Sequence, residues 1–130
     1  LEAVGSDPMF ILDGAHNPAA AKALATQIRE YFADRRVILI FAIVGDKDIP
    51  AVFGELSSLA SEVVLSPIDV ERSMTLDDLD AAARPMFPKA RRANTIAEAI
   101  SIAHDLANKE DVILLAGSLF AVGEAKRAIG

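Results

Sequence analysis

The sequence predicts an α/β domain built around a mainly parallel β-sheet. Short apolar, β-branched runs alternate with stretches of helical periodicity, which is typical of strand–helix–strand units. Each helical stretch also begins at a residue that can cap it. The chain has 130 residues, of which 52% are apolar, and this is enough for one domain with its own core. We therefore expect a single unit of alternating strands and helices.

Five strands and the helices between them follow from these patterns. The predicted strands lie at residues 9–12, 37–44, 62–65, 90–93 and 112–116. The predicted helix N-caps have side chains that can accept hydrogen bonds from first-turn amides; they are Asn17, Asp48, Thr75, Thr95 and Ser118. In the predicted helix at residues 96–108, apolar side chains recur at helical spacing and form one stripe that can pack on the sheet.

The first eight residues show neither pattern. They contain no initiator Met and run into the turn-like sequence Gly5-Ser6-Asp7-Pro8. We therefore expect residues 1–8 to be the end of an inter-domain linker and residues 9–130 to form the domain. The chain would then be a fragment of a longer protein.

Composition and charge argue against several classes of partner. The 19 acidic and 13 basic residues are mixed along the chain and give a net charge of −6, so no basic stripe predicts nucleic-acid binding. The longest apolar run, residues 37–44, is far shorter than the roughly 20 residues that span a bilayer as a helix. No export signal is apparent. We expect a cytoplasmic protein with no membrane partner.

The residue inventory also argues against several chemistries. The sequence has no cysteine, which excludes disulfides and thiolate catalysis. Its two histidines, His16 and His104, are far apart, so no transition-metal site is expected, and His104 lies on a helix flank away from every strand exit. The sequence lacks a Walker A loop, a dinucleotide fingerprint and a hydrolase nucleophile elbow. Function is therefore expected in the polar loops at the carboxyl ends of strands, where open α/β sheets bind ligands.

The loop after the first predicted strand reads Asp13-Gly14-Ala15-His16-Asn17-Pro18. Gly14 permits a tight turn, and Asn17 with Pro18 starts a helix whose free amides favour an anion such as phosphate. Asp13 can accept hydrogen bonds from ribose hydroxyls, and His16 can hydrogen-bond a phosphate or carboxylate. The alternative is structural: Asp13 and Asn17 only cap the turn, and His16 is solvated.

Three further strand exits carry polar residues, each with a structural alternative. Lys47 can contact a ligand, although Gly-Asp in its loop is also ordinary turn chemistry. Ser118 can help a helix N-terminus hold a carboxylate or phosphate, or can serve only as its cap. Arg72 can pair with a carboxylate through two hydrogen bonds, or can simply be solvated.

Three motifs occur in order along nearly the whole chain. Residues 11–18 read Ile-Leu-Asp-Gly-Ala-His-Asn-Pro, residues 45–48 read Gly-Asp-Lys-Asp, and residues 117–124 read Gly-Ser-Leu-Phe-Ala-Val-Gly-Glu. In order and spacing they resemble the opening loop, the loop after the second strand and the final strand-to-helix turn of one family. That family is the C-terminal domain of folylpolyglutamate and dihydrofolate synthases, within the Mur ligase superfamily.

The resemblance implies a Rossmann-like three-layer sandwich, with helices on both faces of the sheet, from an ATP-dependent amide ligase. In such a ligase, ATP phosphorylates a carboxylate of dihydropteroate or folate, and the amine of L-glutamate attacks the acyl phosphate. A larger N-terminal domain supplies the P-loop, the Mg²⁺ ligands and a modified lysine. The expected partners are thus ATP, L-glutamate, the pterin substrate and the N-terminal domain of the same monomer. The isolated chain is expected to be inactive.

Residue roles are implied by the same resemblance. Asp13 would contact the ATP ribose, and His16 would lie by the phosphates and the incoming glutamate, which makes both candidate catalytic residues. Asn17 would belong to the nucleotide-binding loop, and Ser118 would help bind glutamate.

Lys47 and Arg72 are the remaining substrate-binding candidates. Arg72 follows Val70-Glu71, where relatives often have Asn-Pro, which is a departure from the family pattern. Two other functions stay open: a peptidoglycan Mur ligase lobe, which would lack the Gly-Ser-Leu-Phe ending, and a free-standing α/β module that binds a nucleotide without catalysis.

Overall fold

The computed structural model describes residues 1–45, 48–71 and 73–130, and in these ranges it shows six strands and five helices. The strands are β1 (Glu2–Ser6), β2 (Met9–Leu12), β3 (Val37–Phe41), β4 (Glu62–Leu65), β5 (Arg91–Arg92) and β6 (Val112–Ala116). The helices are α1 (Pro18–Tyr31), α2 (Ile49–Ser57), α3 (Leu76–Ala83), α4 (Ile96–Leu106) and α5 (Leu119–Ile129). None of these helices is both long and apolar enough to cross a bilayer.

The strands form one sheet in the order β1-β2-β6-β3-β4-β5. The β1–β2 pair is antiparallel, and all other pairs are parallel. In the parallel part, Leu12 lies opposite Leu115, and Phe41 lies opposite both Ala116 and Leu65. The carboxyl ends of β2, β6, β3 and β4 therefore meet at one edge of the sheet, which confirms the predicted fold class.

Helices cover both faces of the sheet and divide the core into two clusters. Leu39 and Phe41 of β3 face the cluster formed with α1, α2 and α3, where the rings of Phe41 and Phe53 have centroids 4.9 Å apart. Ile38 and Ile40 face the opposite cluster, formed with α4 and α5. Because both faces are covered, β3 and β6 are buried along their whole length, which explains their unbroken apolar sequences.

All five predicted caps are confirmed as N-caps. In each case the side-chain oxygen accepts a hydrogen bond from a first-turn amide; the caps are Asn17, Asp48, Thr75, Thr95 and Ser118. These bonds satisfy amides that the helix itself leaves without a partner. The sequence therefore predicted the helix starts more accurately than the ends of the strands.

Three predicted elements are shorter in the structure. The run at 37–44 is strand only as far as Phe41, the run at 90–93 is strand only at Arg91–Arg92, and the helix that we expected at 96–108 ends at Leu106. Residues 42–44 remain buried after leaving the sheet, because their side chains belong to the two core clusters. An apolar run thus indicated burial and not strand length.

The strand β1 lies in the segment that we expected to be linker. Its residues pair with β2, with a register shift between Ala3 and Gly5, and all five are exposed. No alternation of apolar and polar residues marks it, so its backbone pairing was missed from the sequence. The position of the domain boundary itself stays a prediction.

Candidate functional site

The adjacent strands β2 and β6 place the loop that contains Asp13 next to the turn that contains Ser118. Asp13 directly follows β2, and its backbone amide donates to the carbonyl of Leu115 in β6 (3.0 Å). Gly117 and Ser118 directly follow β6. Since β2 and β6 are parallel neighbours, the loop at residues 13–17 and the start of α5 share the carboxyl edge of the sheet. This is the part of an α/β sheet where ligands are generally bound.

Asp13 has a hydrogen-bond donor at each carboxylate oxygen. Its Oδ1 accepts from the amide of Ala15 (2.9 Å), which shapes the turn. Its Oδ2 lies 2.7 Å from the terminal nitrogen of Leu1. The half-buried carboxylate keeps unused lone pairs for a ligand hydroxyl. Asp13 therefore caps the turn, and its carboxylate can still accept hydrogen bonds from a ligand.

His16 has a defined orientation. Its Nδ1 lies 2.9 Å from the carbonyl oxygen of Gly14. Because a carbonyl can only accept, this contact assigns the proton to Nδ1. In the neutral ring, Nε2 is then an acceptor, and in the protonated ring it is a second donor. The side chain is half-buried, and its role in ligand binding stays a prediction.

Ser118 is only 3% exposed, and its Oγ accepts from the amide of Phe120 (3.1 Å). Gly117 allows the chain to make this turn: its φ is +121°, and a Cβ there would lie 2.3 Å from the carbonyl oxygen of Ala42. No other residue type fits such a backbone and such a close approach without strain. Gly117 is thus a site-building residue whose role the sequence motif did not explain.

Gly14 joins the two loops. A Cβ at Gly14 would lie 2.3 Å from Cδ2 of Leu119, so the loop at 13–17 and the first turn of α5 pack directly against each other. The sequence assigned Gly14 a turn, and the structure adds this close contact. The spacing between the two motifs could not indicate it, because about a hundred residues separate them in sequence.

The helices α1 and α5 both begin at this edge of the sheet. The first turns of α1 and α5 contain no acidic residue, whereas the first turn of α3 contains Asp77 and Asp78. Asn17 caps α1 by accepting from the amide of Ala20 (2.8 Å). The partial positive charge of these helix ends favours phosphate or carboxylate groups.

Of the other polar residues considered in the sequence, Lys47 and Arg72 are candidate substrate contacts, and His104 was assigned no function. Lys47 and Arg72 lie outside the described residues, so their structure is not addressed. The flanking residues Val44 and Ser73 form an antiparallel bridge, which brings the loops after β3 and β4 together. His104 lies on α4 and makes an edge contact with the ring of Phe10, at a centroid distance of 5.8 Å.

In the parts of the chain that the structure describes, no group of three or more histidine, aspartate and glutamate side chains is arranged to hold a metal ion.

Together these features define an α/β domain whose carboxyl edge presents an aspartate, an oriented histidine, a buried hydroxyl and two helix N-termini. The chain belongs to the Mur ligase, glutamate ligase domain family, whose model matches residues 1–119. This confirms the family indicated by the three sequence motifs. It also agrees with the mainly parallel, helix-covered sheet.

Known relatives support the same assignment. A probable bifunctional folylpolyglutamate synthase/dihydropteroate synthase of Halobacterium salinarum is 35% identical over 130 residues, which cover 96% of this chain and 15% of the relative. Folylpolyglutamate synthase of Mycobacterium tuberculosis, solved with ADP, is 28% identical with a TM-score of 0.94, over 100% of this chain and 32% of that chain.

A second solved structure is the bifunctional folylpolyglutamate synthase/dihydrofolate synthase described with Mn, AMPPNP and L-glutamate bound. It is 26% identical with a TM-score of 0.87, over 98% of this chain and 30% of that chain. The chain thus spans a third or less of each of these relatives.

Proposed function

We propose that this chain is the C-terminal lobe of an ATP-dependent ligase that adds L-glutamate to dihydropteroate, to folate or to both. The observation that carries the proposal is the meeting of the Asp13–His16 loop with Ser118 at one sheet edge. The names of the relatives support the reaction class, and their complexes with ADP, AMPPNP and L-glutamate support the ligands.

Each site residue has a role that its contacts permit. Asp13 accepts hydrogen bonds from the ATP ribose through its remaining lone pairs. His16 directs Nε2 towards the phosphates and the incoming glutamate, while Gly14 holds its other nitrogen. Asn17 keeps the N-terminus of α1 in position for an anion, and Ser118 does the same at α5 for a glutamate carboxylate. Lys47 and Arg72 are retained as further substrate contacts on sequence grounds.

In the proposed reaction, the terminal phosphoryl group of ATP passes to a substrate carboxylate, giving ADP and an acyl phosphate. The amine of glutamate attacks the acyl carbon, phosphate leaves, and the nitrogen loses a proton as the amide forms. This lobe holds ATP and glutamate in place for both steps. It lowers the barrier by positioning and electrostatic stabilisation, without supplying a nucleophile.

The remaining parts of the proposal concern the whole protein. Mg²⁺ would accompany ATP, with its ligands supplied by the phosphates and by the N-terminal domain. The working unit is a monomer in which both domains belong to one polypeptide. Its location is the cytoplasm, where ATP is available.

The test uses the intact enzyme and measures glutamate ligation to dihydropteroate and to folate. We expect Asp13→Ala and His16→Ala each to lower kcat/KM by about 100-fold or more, because each removes a group that orients the reactants. His104→Ala is the matched control and should retain normal turnover. Near-normal activity of both site variants would contradict the proposed roles.

Two further substitutions separate the nitrogens of His16. Asn can replace Nδ1 as the donor to the Gly14 carbonyl but offers no group at the position of Nε2, whereas Gln reaches that position. If Nε2 contacts the ligands, His16→Gln should keep more activity than His16→Asn. The opposite order would indicate that His16 only shapes the loop.

A further inference from the structure

A cavity of about 340 Å³ lies at the edge of the sheet opposite to the Asp13–His16 loop. It opens where α1 ends, where β3 begins and where α2 ends, and its lining includes Phe32, Val37 and Ser58. The helix α1 begins at Pro18, beside the Asp13–His16 loop, and spans about 20 Å at 1.5 Å per residue. The cavity is therefore separate from the proposed active site, and its volume suits a small molecule.

The apolar part of the lining belongs to the core of the domain. Ile28 and Val37 are buried core side chains that form the inner wall of the cavity. Phe32 and Leu59 are half-buried and pack against the same core cluster. An apolar ligand group placed here would remove apolar surface from water on both sides of the contact, which is favourable.

Two arginines form the charged part of the lining, and both are held in place. Nη2 of Arg29 donates to Oγ of Ser58 (2.8 Å), and the Ser58 hydroxyl donates to the carbonyl of Glu55 (2.9 Å). The guanidinium of Arg35 lies over the ring of Phe32, with Cζ 5.7 Å from the ring centroid. Side chains that are already ordered lose less conformational entropy when they bind a ligand.

The charge of the cavity is opposite in sign to that of the chain. The chain has a net charge of −6, yet the described residues that line the cavity include two arginines and no acidic side chain. Glu30 and Asp34 are close in sequence but do not belong to the lining. Ser58 uses one N–H group of Arg29, and a guanidinium has further N–H groups that can form two parallel hydrogen bonds with a carboxylate.

We propose that this cavity is a binding site for a small organic carboxylate with an apolar body. Arg29 and Arg35 bind the carboxylate, and the apolar body covers Ile28 and Leu59. The site is additional to the proposed active site and does not rest on the proposed function. If Arg29 only joined α1 to α2 through Ser58, the cavity would not discriminate between a carboxylate and a neutral ligand.

The test measures benzoate binding to the intact enzyme by saturation-transfer NMR of the ligand. Saturating ADP and L-glutamate are present, so that the proposed active site is occupied. Benzamide is the neutral comparison, and acetate is the carboxylate without an apolar body. We expect benzoate to bind about tenfold more tightly than either, because it alone contacts both the arginines and the apolar wall. Loss of the benzoate signal on addition of ADP and L-glutamate, or equal affinity for benzamide, would overturn the proposal.

Substitutions assign the binding to this cavity. Arg29→Gln and Arg35→Gln should each weaken benzoate binding about tenfold (about 1.4 kcal/mol). Ala33→Phe should weaken it by a similar factor, because it fills the cavity without changing the charge. Arg127→Gln is the matched control, since it removes an exposed arginine near the end of α5, on the other face of the sheet. Unchanged affinity of both Arg29→Gln and Arg35→Gln, or an equal loss in Arg127→Gln, would contradict the assignment.

Two further measurements separate this inference from folding and from the proposed function. Thermal unfolding checks that all four variants remain folded. Glutamate ligation should be normal in all four, because none of the substituted side chains lies at the proposed active site. Benzoate binding that depends on Arg29 and Arg35 in an enzyme without ligase activity would support the cavity and contradict only the proposed function.

Discussion

At the residue scale, two glycines build the site by letting other groups come close. Gly117 brings the end of β6 within reach of the Ala42 carbonyl, and Gly14 accommodates Leu119. Neither contact involves a polar side chain, yet together they set the positions of Ser118 and of the Asp13–His16 loop. The chemistry of the site thus depends on residues that have no functional groups.

We expect Gly117→Ala to lower the free energy of unfolding by about 2–4 kcal/mol. The added Cβ meets the Ala42 carbonyl at 2.3 Å and must also adopt a φ of +121°, so clash and backbone strain add. The measurement is urea unfolding followed by circular dichroism, because the chain has no tryptophan.

The matched control for this substitution is Gly54→Ala, in the interior of α2. A Cβ there meets only the sulfur of Met86 at 3.6 Å, an ordinary contact. Alanine should stabilise the helix by about 0.5–1 kcal/mol. Similar stability changes for the two variants would show that the turn at Gly117 is not strained by a side chain.

At the element scale, the short edge strand β5 is held by side-chain contacts as well as by its pairing with β4. Arg92 of β5 bridges Asp77 (2.5 Å) and Asp80 (2.7 Å) of α3. Arg84, at the end of α3, also hydrogen-bonds Asp80 and donates to the Ala90 carbonyl (2.9 Å). The network joins α3 to the strand that follows it, so this edge depends on charge.

The pKa of Asp80 is lowered from its ordinary value, chiefly by the hydrogen bond from Arg84 and also by Arg92. A carboxylate whose folded pKa is depressed contributes stability above its unfolded pKa, near 4, and loses it as pH falls through the folded pKa. Asp80→Asn should therefore cost about 1 kcal/mol at pH 7, a modest value because the network is partly exposed.

This cost should shrink as the pH falls below about 4, because the unfolded wild-type chain then binds a proton at Asp80 that the folded protein, with its lowered pKa, does not yet bind. Chemical unfolding at pH 7 and at pH 3 measures the change. The control is Asp105→Asn, which removes an exposed carboxylate of α4 outside this network. A cost of Asp80→Asn that is independent of pH would contradict the network.

Particular elements show how far sequence patterns reach. The five N-caps were predicted because each depends on a side chain and an amide two or three residues away. The strand β1 was missed because its stability comes from pairing with β2 and not from an apolar face. Ala90 and Ala93 suggested a longer strand around β5, but only Arg91 and Arg92 pair with β4. The chain then turns into α4, which begins at Ile96.

At the scale of the whole molecule, two apolar clusters share one sheet, so neither can form without β3 and β6. We expect the isolated chain to unfold in a single cooperative transition, measured by circular dichroism and by amide hydrogen exchange. Separate transitions for residues of the two clusters would contradict this expectation.

The same isolated chain should not ligate glutamate, and it should bind ADP about 100-fold or more weakly than the intact enzyme, a difference of roughly 2.7 kcal/mol. The physical reason is that this lobe offers helix N-termini and single polar contacts, while its described residues include no cluster for a metal ion. Calorimetry and a ligation assay test both points. Glutamate ligation by residues 1–130 alone would contradict the proposal that this lobe needs the N-terminal domain for catalysis.

The sequence alone determined the class of fold, the helix starts and the family, because periodicity, capping and the three motifs are local in the chain. Only the tertiary structure decided which loops meet and that Gly14 lies against Leu119. These contacts depend on the order β2-β6-β3 in the sheet, which brings together residues about a hundred positions apart. Such an order is set by packing across the whole domain, which local sequence patterns do not encode.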